Sequence, residues 1–296
     1  MTHQYRNLII VGSQKCATTT LYYQLVQHPS IVGARRRDDS IEANLKETNY
    51  LCHPGARLDG YLRIFDSAFA ARPKAFITLD ASSSYSMWPK KQPICSLVQD
   101  RLADPQFVFI FRDPVDRFES AINYVGGLRQ SFMNASLDQI LDHPVGFQAM
   151  LTSNYVLQLM PYHRQFRKGR LALVNYKDLV ESSVSVVSRI CSLMNISMDG
   201  YSTVDQRMHA NKTAQDVSSF PLLAIVPPSL KRSLTSVISP SLKALLLSSL
   251  SRIGMSEPIP KRLLTADERL RLYSKFSYIT YLLHEEYDIS VSWPDS

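Results

Sequence analysis

Residues 8–25, LIIVGSQKCATTTLYYQL, constrain this chain more than any other stretch. The apolar run Leu8, Ile9, Ile10, Val11 stops at Gly12, the pattern of a strand buried on both faces of a parallel sheet. From Thr18 onward Leu21, Tyr22, Leu25 and Val26 recur at helical spacing, and His28-Pro29 closes that element. Strand, tight turn and helix in so short a span aim several backbone N–H groups at one point. The positive end of the helix, roughly half an elementary charge, points there too. Lys15 and the hydroxyls of Thr18, Thr19 and Thr20 add donors, so the turn has the chemistry of a phosphate or sulfate site. It is not the common nucleotide loop G-x-x-x-x-G-K-[ST], because no Gly-Lys pair stands at that spacing.

The same alternation continues downstream. Residues 75–79 form a second candidate buried strand, followed by the polar segment DASSSY at its carboxyl end, where ligands sit in open α/β sheets. QFVFIF at 106–111 is the strongest strand pattern and runs directly into Arg112. There Asp113 suits an N-cap, Pro114 the first helical position and Asp116 a capping-box partner, with Gly126-Gly127 as the stop. Ser136 suits a cap for a helix through Leu137, Ile140 and Leu141, and another helix is expected over 154–166, disturbed at Pro161. RLALVN at 170–175 is the last good strand, and a helix through Val184, Val187, Ile190 and Met194 follows it. Strands alternating with helices predict an α/β fold with a central parallel sheet flanked by helices. The residues from about 201 to 296 read as an irregular, mostly helical extension. It is punctuated by Pro227-Pro228, Pro240, Pro258 and Pro260 and closed by a helix that opens on the capping box Thr265 to Glu268.

Composition narrows the function classes. With 45% hydrophobic residues the 296-residue chain has ample material for a core, and its net charge of +7 favours an anionic partner. Residues 34–44, with three arginines followed by two aspartates, read as a solvated loop, as such charge runs usually are. Cys16, Cys52, Cys95 and Cys191 stand far apart with no histidine at ligand spacing, so no metal site is expected and the thiols are read as reduced. The short apolar run before Gly12 and the interrupted run at 242–250 are too short for an anchor, which leads to an expectation of a cytoplasmic protein off the membrane. No basic stripe with interleaved aromatics suggests nucleic acid. The oligomeric state is open.

Taken in order, GSQKCATTTLYYQLVQHP, KETNY, the segment at 82–85, FIFRDPVDRFESAINY and LVNYKDL resemble the sulfotransferases that use 3′-phosphoadenosine 5′-phosphosulfate (PAPS), closest to the heparan-sulfate and carbohydrate type. The resemblance covers about residues 8–179, with a fainter echo at the closing helix and Trp293-Pro294. It implies a single sulfotransferase domain with a P-loop-like sheet. In that family a P-Q-K-x-G-T-T loop binds the 5′-phosphosulfate. Gln14, Lys15, Thr18 and Thr19 fall on its positions, and Cys16, Ala17 and Thr20 complete the loop. Arg112 and Ser120 match the R-[DN]-P-x-x-R-x-x-S pattern that holds the 3′-phosphate, and Glu47 matches the carboxylate that acts as base in the glycan enzymes. Lys212, in Asn211-Lys212-Thr213, echoes a lysine of the family's C-terminal cofactor loop.

The resemblance implies that PAPS is the sulfuryl donor and PAP the product. Lys15 and Glu47 would be catalytic, and Lys46, Tyr50, His53 and Ser82 would face a small-molecule or saccharide acceptor. His28, His53 and Asp80 stand as alternative bases. Three departures stand out: Cys16-Ala17 replaces the usual x-Gly, Ser83 stands where proline is frequent, and Ala81 stands where glycan enzymes often carry lysine. Rival readings are a P-loop phosphotransferase on the same kind of sheet and a nucleotide-binding protein without transfer activity.

Overall fold

The structure is a computed structural model that describes residues 5–35, 44–98, 102, 104–124, 129–203, 260–291 and 293. Among these lie six strands: β1 (Arg6–Gly12), β2 (Ile31–Arg35), β3 (Asn44–Leu45), β4 (Ile77–Asp80), β5 (Gln106–Phe111) and β6 (Leu171–Asn175). They form one sheet in the order β3-β2-β4-β1-β5-β6. Every pairing is parallel except that of β2 with β3.

The apolar runs become central strands because their alternate side chains serve two cores. Ile9 and Val11 of β1 pack with Phe107, Phe109 and Phe111 of β5 on one face, while Leu8 and Ile10 pack with Val108 and Ile110 on the other. The first helix, α1 (Thr18–Leu25), lays Leu21, Tyr22 and Leu25 on this second core, where Val186, Val187 and Ile190 of the helix Ser183–Leu193 join them. Because β1 has β4 on one side and β5 on the other, the chain leaves the sheet after β1 at the point where strand order reverses. That is where open α/β sheets bind ligands.

The expected strands at 75–79, 106–111 and 170–175 appear as β4, β5 and β6. The helix expected over 154–166 is two short helices, Tyr155–Leu159 and His163–Arg167, separated by a 3-10 turn that contains Pro161. Ser136 caps its helix with a capping box, as does Thr265 at the closing helix Ala266–Tyr287.

The reading of residues 34–44 as a solvated loop is corrected at both ends. Ala34 and Arg35 belong to β2, and Ala34 pairs with Leu45 and Arg35 with Asn44; residues 36–43 lie outside the described set. Gly33 weakened the strand signal, yet the strand needs it, since a Cβ there would lie 1.9 Å from the hydroxyl of Tyr22 on α1. Among the described residues no helix is long and apolar enough to cross a membrane. All four cysteines are free thiols.

Candidate functional site

The loop after β1 is shaped by close approach and by left-handed backbone. At Gly12 a Cβ would sit 1.9 Å from Ser86 Oγ, so only glycine lets the strand pass. Ser13 N then donates to Ile110 O at 2.9 Å and holds the loop against β5. Lys15 and Ala17 both take left-handed conformations, with φ of 69° and 60°. Ala17 is the N-cap of α1 and makes no side-chain capping bond. No side chain of the cap competes with an anion for the first-turn N–H groups. Ala17 thus adopts the conformation that glycine takes freely, at a cost of about 1 kcal/mol.

Arg112 leaves the end of β5 with its backbone N–H donated to the Tyr155 hydroxyl at 3.2 Å. Its guanidinium lies 4.7 Å from the centre of the Tyr176 ring, and Nη2 is 3.6 Å from Asp116 Oδ2. Its Nε is buried and has no hydrogen-bond partner among the described residues, an orphan donor of the kind a phosphate oxygen satisfies. The helix that follows, α2 (Pro114–Ile122), begins as its sequence predicts: Asp113 caps Val115 N and Asp116 N, both at 2.9 Å, and Pro114 holds the first position.

Two details of this helix differ from expectation. Asp116 does not close a capping box, because its carboxylate pairs with Arg269 at 2.7 Å and lies near Arg112. The helix ends at Ile122, before the glycine pair, which lies outside the described residues. Ser120 is half-buried on α2.

The segment KETN is fixed against the end of β4 by three consecutive serines. Ser82 Oγ accepts from Asn49 N at 2.9 Å, Ser83 Oγ donates to Glu47 Oε1 at 3.2 Å, and Ser84 Oγ donates to Asn49 Oδ1 at 2.5 Å. Behind them lies Asp80, which is fully buried. Its carboxylate accepts from Ser82 Oγ at 2.6 Å, Thr48 Oγ1 at 2.7 Å and Tyr85 OH at 2.8 Å. Burial pushes the Asp80 carboxyl up, and these hydroxyls pull it back down. Lys46 closes the arrangement, since its Nζ donates to Glu47 Oε1 at 2.7 Å and to Thr18 Oγ1 at 3.2 Å. One ammonium therefore joins the carboxylate segment to the start of α1.

Lys15 stands in a cationic setting. Burial first, then the charges of Arg117 and Arg112, with a smaller contribution from Lys261, lower it to about 8. Its ammonium lies 3.9 Å from the centre of the half-exposed Tyr124 ring.

Sequence reasoning missed Arg117 and Lys261. The first lay inside the quoted R-D-P-V-D-R pattern, but nothing in the sequence announced its burial. The second is brought near by residues far away in the chain: Asn123 exchanges two 2.8 Å bonds with the backbone of Arg262, and Glu119 accepts from Leu264 N at 3.0 Å. The closing helix also does more than pack, because Arg269 binds Asp116 and Tyr273 OH donates to Asp113 Oδ2 at 2.8 Å.

The remaining expected residues divide clearly. Gln14, Thr19 and Thr20 are half-buried around the loop. Cys16 is fully buried with its thiol 3.8 Å from the Tyr155 hydroxyl, so only its backbone serves the loop. Ser82, expected at the acceptor, is fully buried, and its hydroxyl donates to Asp80 and accepts from Asn49 N. Tyr50 packs toward Tyr61, and a Cβ on Gly60 would lie 2.0 Å from its hydroxyl. His53 is exposed.

Among the alternative bases, Asp80 is enclosed. His28 uses both ring nitrogens, one on Ser197 O and one on Ser30 N. Lys212 lies outside the described residues. Among the described residues no group of histidine, cysteine, aspartate and glutamate is arranged to hold a metal ion.

Residues 95–200 match the model of a sulfotransferase family. The matched span runs through β5, Arg112, α2 and β6. The crystal structure of a sulfotransferase from Alicyclobacillus acidocaldarius aligns with a TM-score of 0.52 at 22% identity, over 81% of this chain and 95% of that one. The likeness is one of fold: a parallel central sheet flanked by helices, of the P-loop-like sulfotransferase kind. The sulfotransferase domain from the curacin biosynthetic pathway aligns at a TM-score of 0.45 and 16% identity, over 93% of this chain and 97% of that one. Sulfotransferase STF9 from Mycobacterium avium aligns at 0.44 and 13%, over 94% and 76%. No curated protein sequence matches the chain.

Proposed function

We propose that this chain transfers a sulfuryl group from PAPS to a hydroxyl, or to an amine or carbamoyl nitrogen, of a small natural product or saccharide, with PAP as the product. The observation that carries this reading is the Lys46 ammonium, which bonds both Thr18 at the anion loop and Glu47 on the neighbouring segment. A donor-binding loop and a candidate base thereby face the same point, as in-line transfer requires. When bound, PAPS supplies an activated sulfuryl group carried on a phosphate.

The residues present fit that molecule. The first-turn amides of α1, Lys15, Gln14, Thr18, Thr19 and Thr20 would hold its 5′ end, while Arg112, with its unpartnered Nε, and Ser120 would hold the 3′-phosphate. Lys15 would meet the negative charge that grows on the 5′ side during transfer, a role worth about 3 to 4 kcal/mol for such donors. Glu47 would take the acceptor's proton. Its Oε1 is held by Lys46 and Ser83, and no bond to Oε2 is present among the described residues, so Oε2 is the oxygen that receives the proton. The absence of lysine at Ala81 and of proline at Ser83 turns the acceptor away from a glycosaminoglycan and toward a smaller saccharide or natural product.

Thermal unfolding with PAP tests the donor site. At about a hundredfold over its dissociation constant PAP should stabilise the fold by about 2.7 kcal/mol. No shift at saturating PAP would sink the reading.

A further inference from the structure

Among the described residues Arg117 is the largest fully buried side chain, only 1% exposed. Its guanidinium makes three bonds, all to neutral acceptors: Nε to Gln14 O at 3.0 Å, and Nη1 to Ala149 O at 2.8 Å and to Ser153 Oγ at 3.2 Å. Among the described residues it has no carboxylate partner, although a buried guanidinium is ordinarily paired with one to offset its desolvation. The two acidic groups beside it, the Cys16 thiol and the Tyr155 phenol, are both fully buried, and burial holds both in the neutral form. The bond to Gln14 places this uncompensated charge directly behind the loop.

We propose that Arg117 is an electrostatic positioning residue of the anion site, a cation built beneath the loop whose counter-charge is the anion the loop binds. The proposal rests on reading the loop as an anion site. A plain strut between the loop and the helix Pro144–Ser153 would need neither full burial of a charge nor the absence of a carboxylate beside it. The field of Arg117 also reaches the front of the loop, where after burial it is the largest influence lowering Lys15. The groups facing Lys15 are Arg117, Arg112, Lys261, the Cys16 thiol and the Tyr124 ring. None of them is a carboxylate.

The test neutralises the charge and leaves the strut in place. Ser153→Asp sets a carboxylate against Nη1, and Ser153→Asn is its isosteric neutral partner. With PAP as probe and calorimetry as readout, Ser153→Asp should bind about tenfold more weakly than Ser153→Asn, a difference of about 1.4 kcal/mol. The basic limb of binding should also move upward, since Lys15 loses a repelling neighbour. Equal affinity of the two folded variants overturns the proposal.

If Ser153→Asp does not fold, Arg117→Gln carries the same prediction, and the unmodified protein supplies a second measurement. A basic limb of PAP binding that lies lower in the unmodified protein than in Arg117→Gln supports the proposal, and coincident limbs contradict it. An unmodified protein that binds no PAP sinks the anion-site reading itself, an outcome distinct from equal binding by the two variants.

Discussion

Lys46 Nζ lies 2.7 Å from Glu47 Oε1, in a pair whose side chains are 15% and 37% exposed. A pair so open to water adds no more than about 1 kcal/mol to stability. Its importance lies in holding one carboxylate oxygen while the other has no bond among the described residues. Glu47→Gln keeps the shape and removes the basicity. Its melting temperature and PAP affinity should stay near those of the unmodified protein, while turnover falls by about 10²- to 10⁴-fold. Retained turnover would remove Glu47 as the base.

Lys15 should impose a pH limit on nucleotide binding. Burial and two guanidinium groups disfavour its protonated form, so the free protein loses this cation as pH rises through about 8. PAP affinity, followed by calorimetry from pH 6 to 10, should therefore decline above that point. In Lys15→Arg, whose charge persists, the decline should disappear. A flat profile for the unmodified protein would contradict the assignment.

Ala17 holds a left-handed conformation with φ of 60° at the start of α1. Ala17→Gly should relieve that strain and stabilise the fold by about 0.5 to 1 kcal/mol despite the added freedom of the unfolded chain. Urea denaturation measures the difference. A loss of stability would mean that the alanine methyl's packing outweighs the backbone cost.

Asp80 is the buried acceptor on which Ser82, Thr48 and Tyr85 converge. Asp80→Ala should cost about 3 to 5 kcal/mol, because three hydroxyls, two of them buried, lose their acceptor together. Thr48→Val removes one of these donors and should cost about 1 to 3 kcal/mol. A change in unfolding free energy below about 0.5 kcal/mol for Asp80→Ala would show that the hydroxyls re-pair among themselves.

Much of the architecture was legible because its signals are local. The runs ending at Gly12 and at Phe111 announce two-sided burial, and Asp113-Pro114, Ser136 and Thr265 mark helix starts through the chemistry of unsatisfied N–H groups. What stayed hidden depends on partners distant in sequence. β2 carries Gly33 for the sake of Tyr22 and runs into a series of arginines, so its end at Ala34 and Arg35 read as loop. Asp116 looked like a capping partner until Arg269, 153 residues away, claimed it. Ser82 stands at a strand's carboxyl end, and nothing in the sequence shows that its hydroxyl bonds the buried Asp80. Arg117 carries no sequence mark of burial, and Lys261 reaches the loop only because Asn123 and Glu119 tie down its neighbours.

The measurement that bears most directly on the proposed function is transfer of label from sulfur-labelled PAPS to a panel of small hydroxylated, guanidinium-bearing and saccharide acceptors. The unmodified protein should label at least one of them, and Lys15→Ala and Arg112→Ala should each abolish most of that transfer. Arg112→Ala should act mainly by weakening the nucleotide. Labelling that persists undiminished in both variants, or ATP hydrolysis with no use of PAPS, would contradict the account.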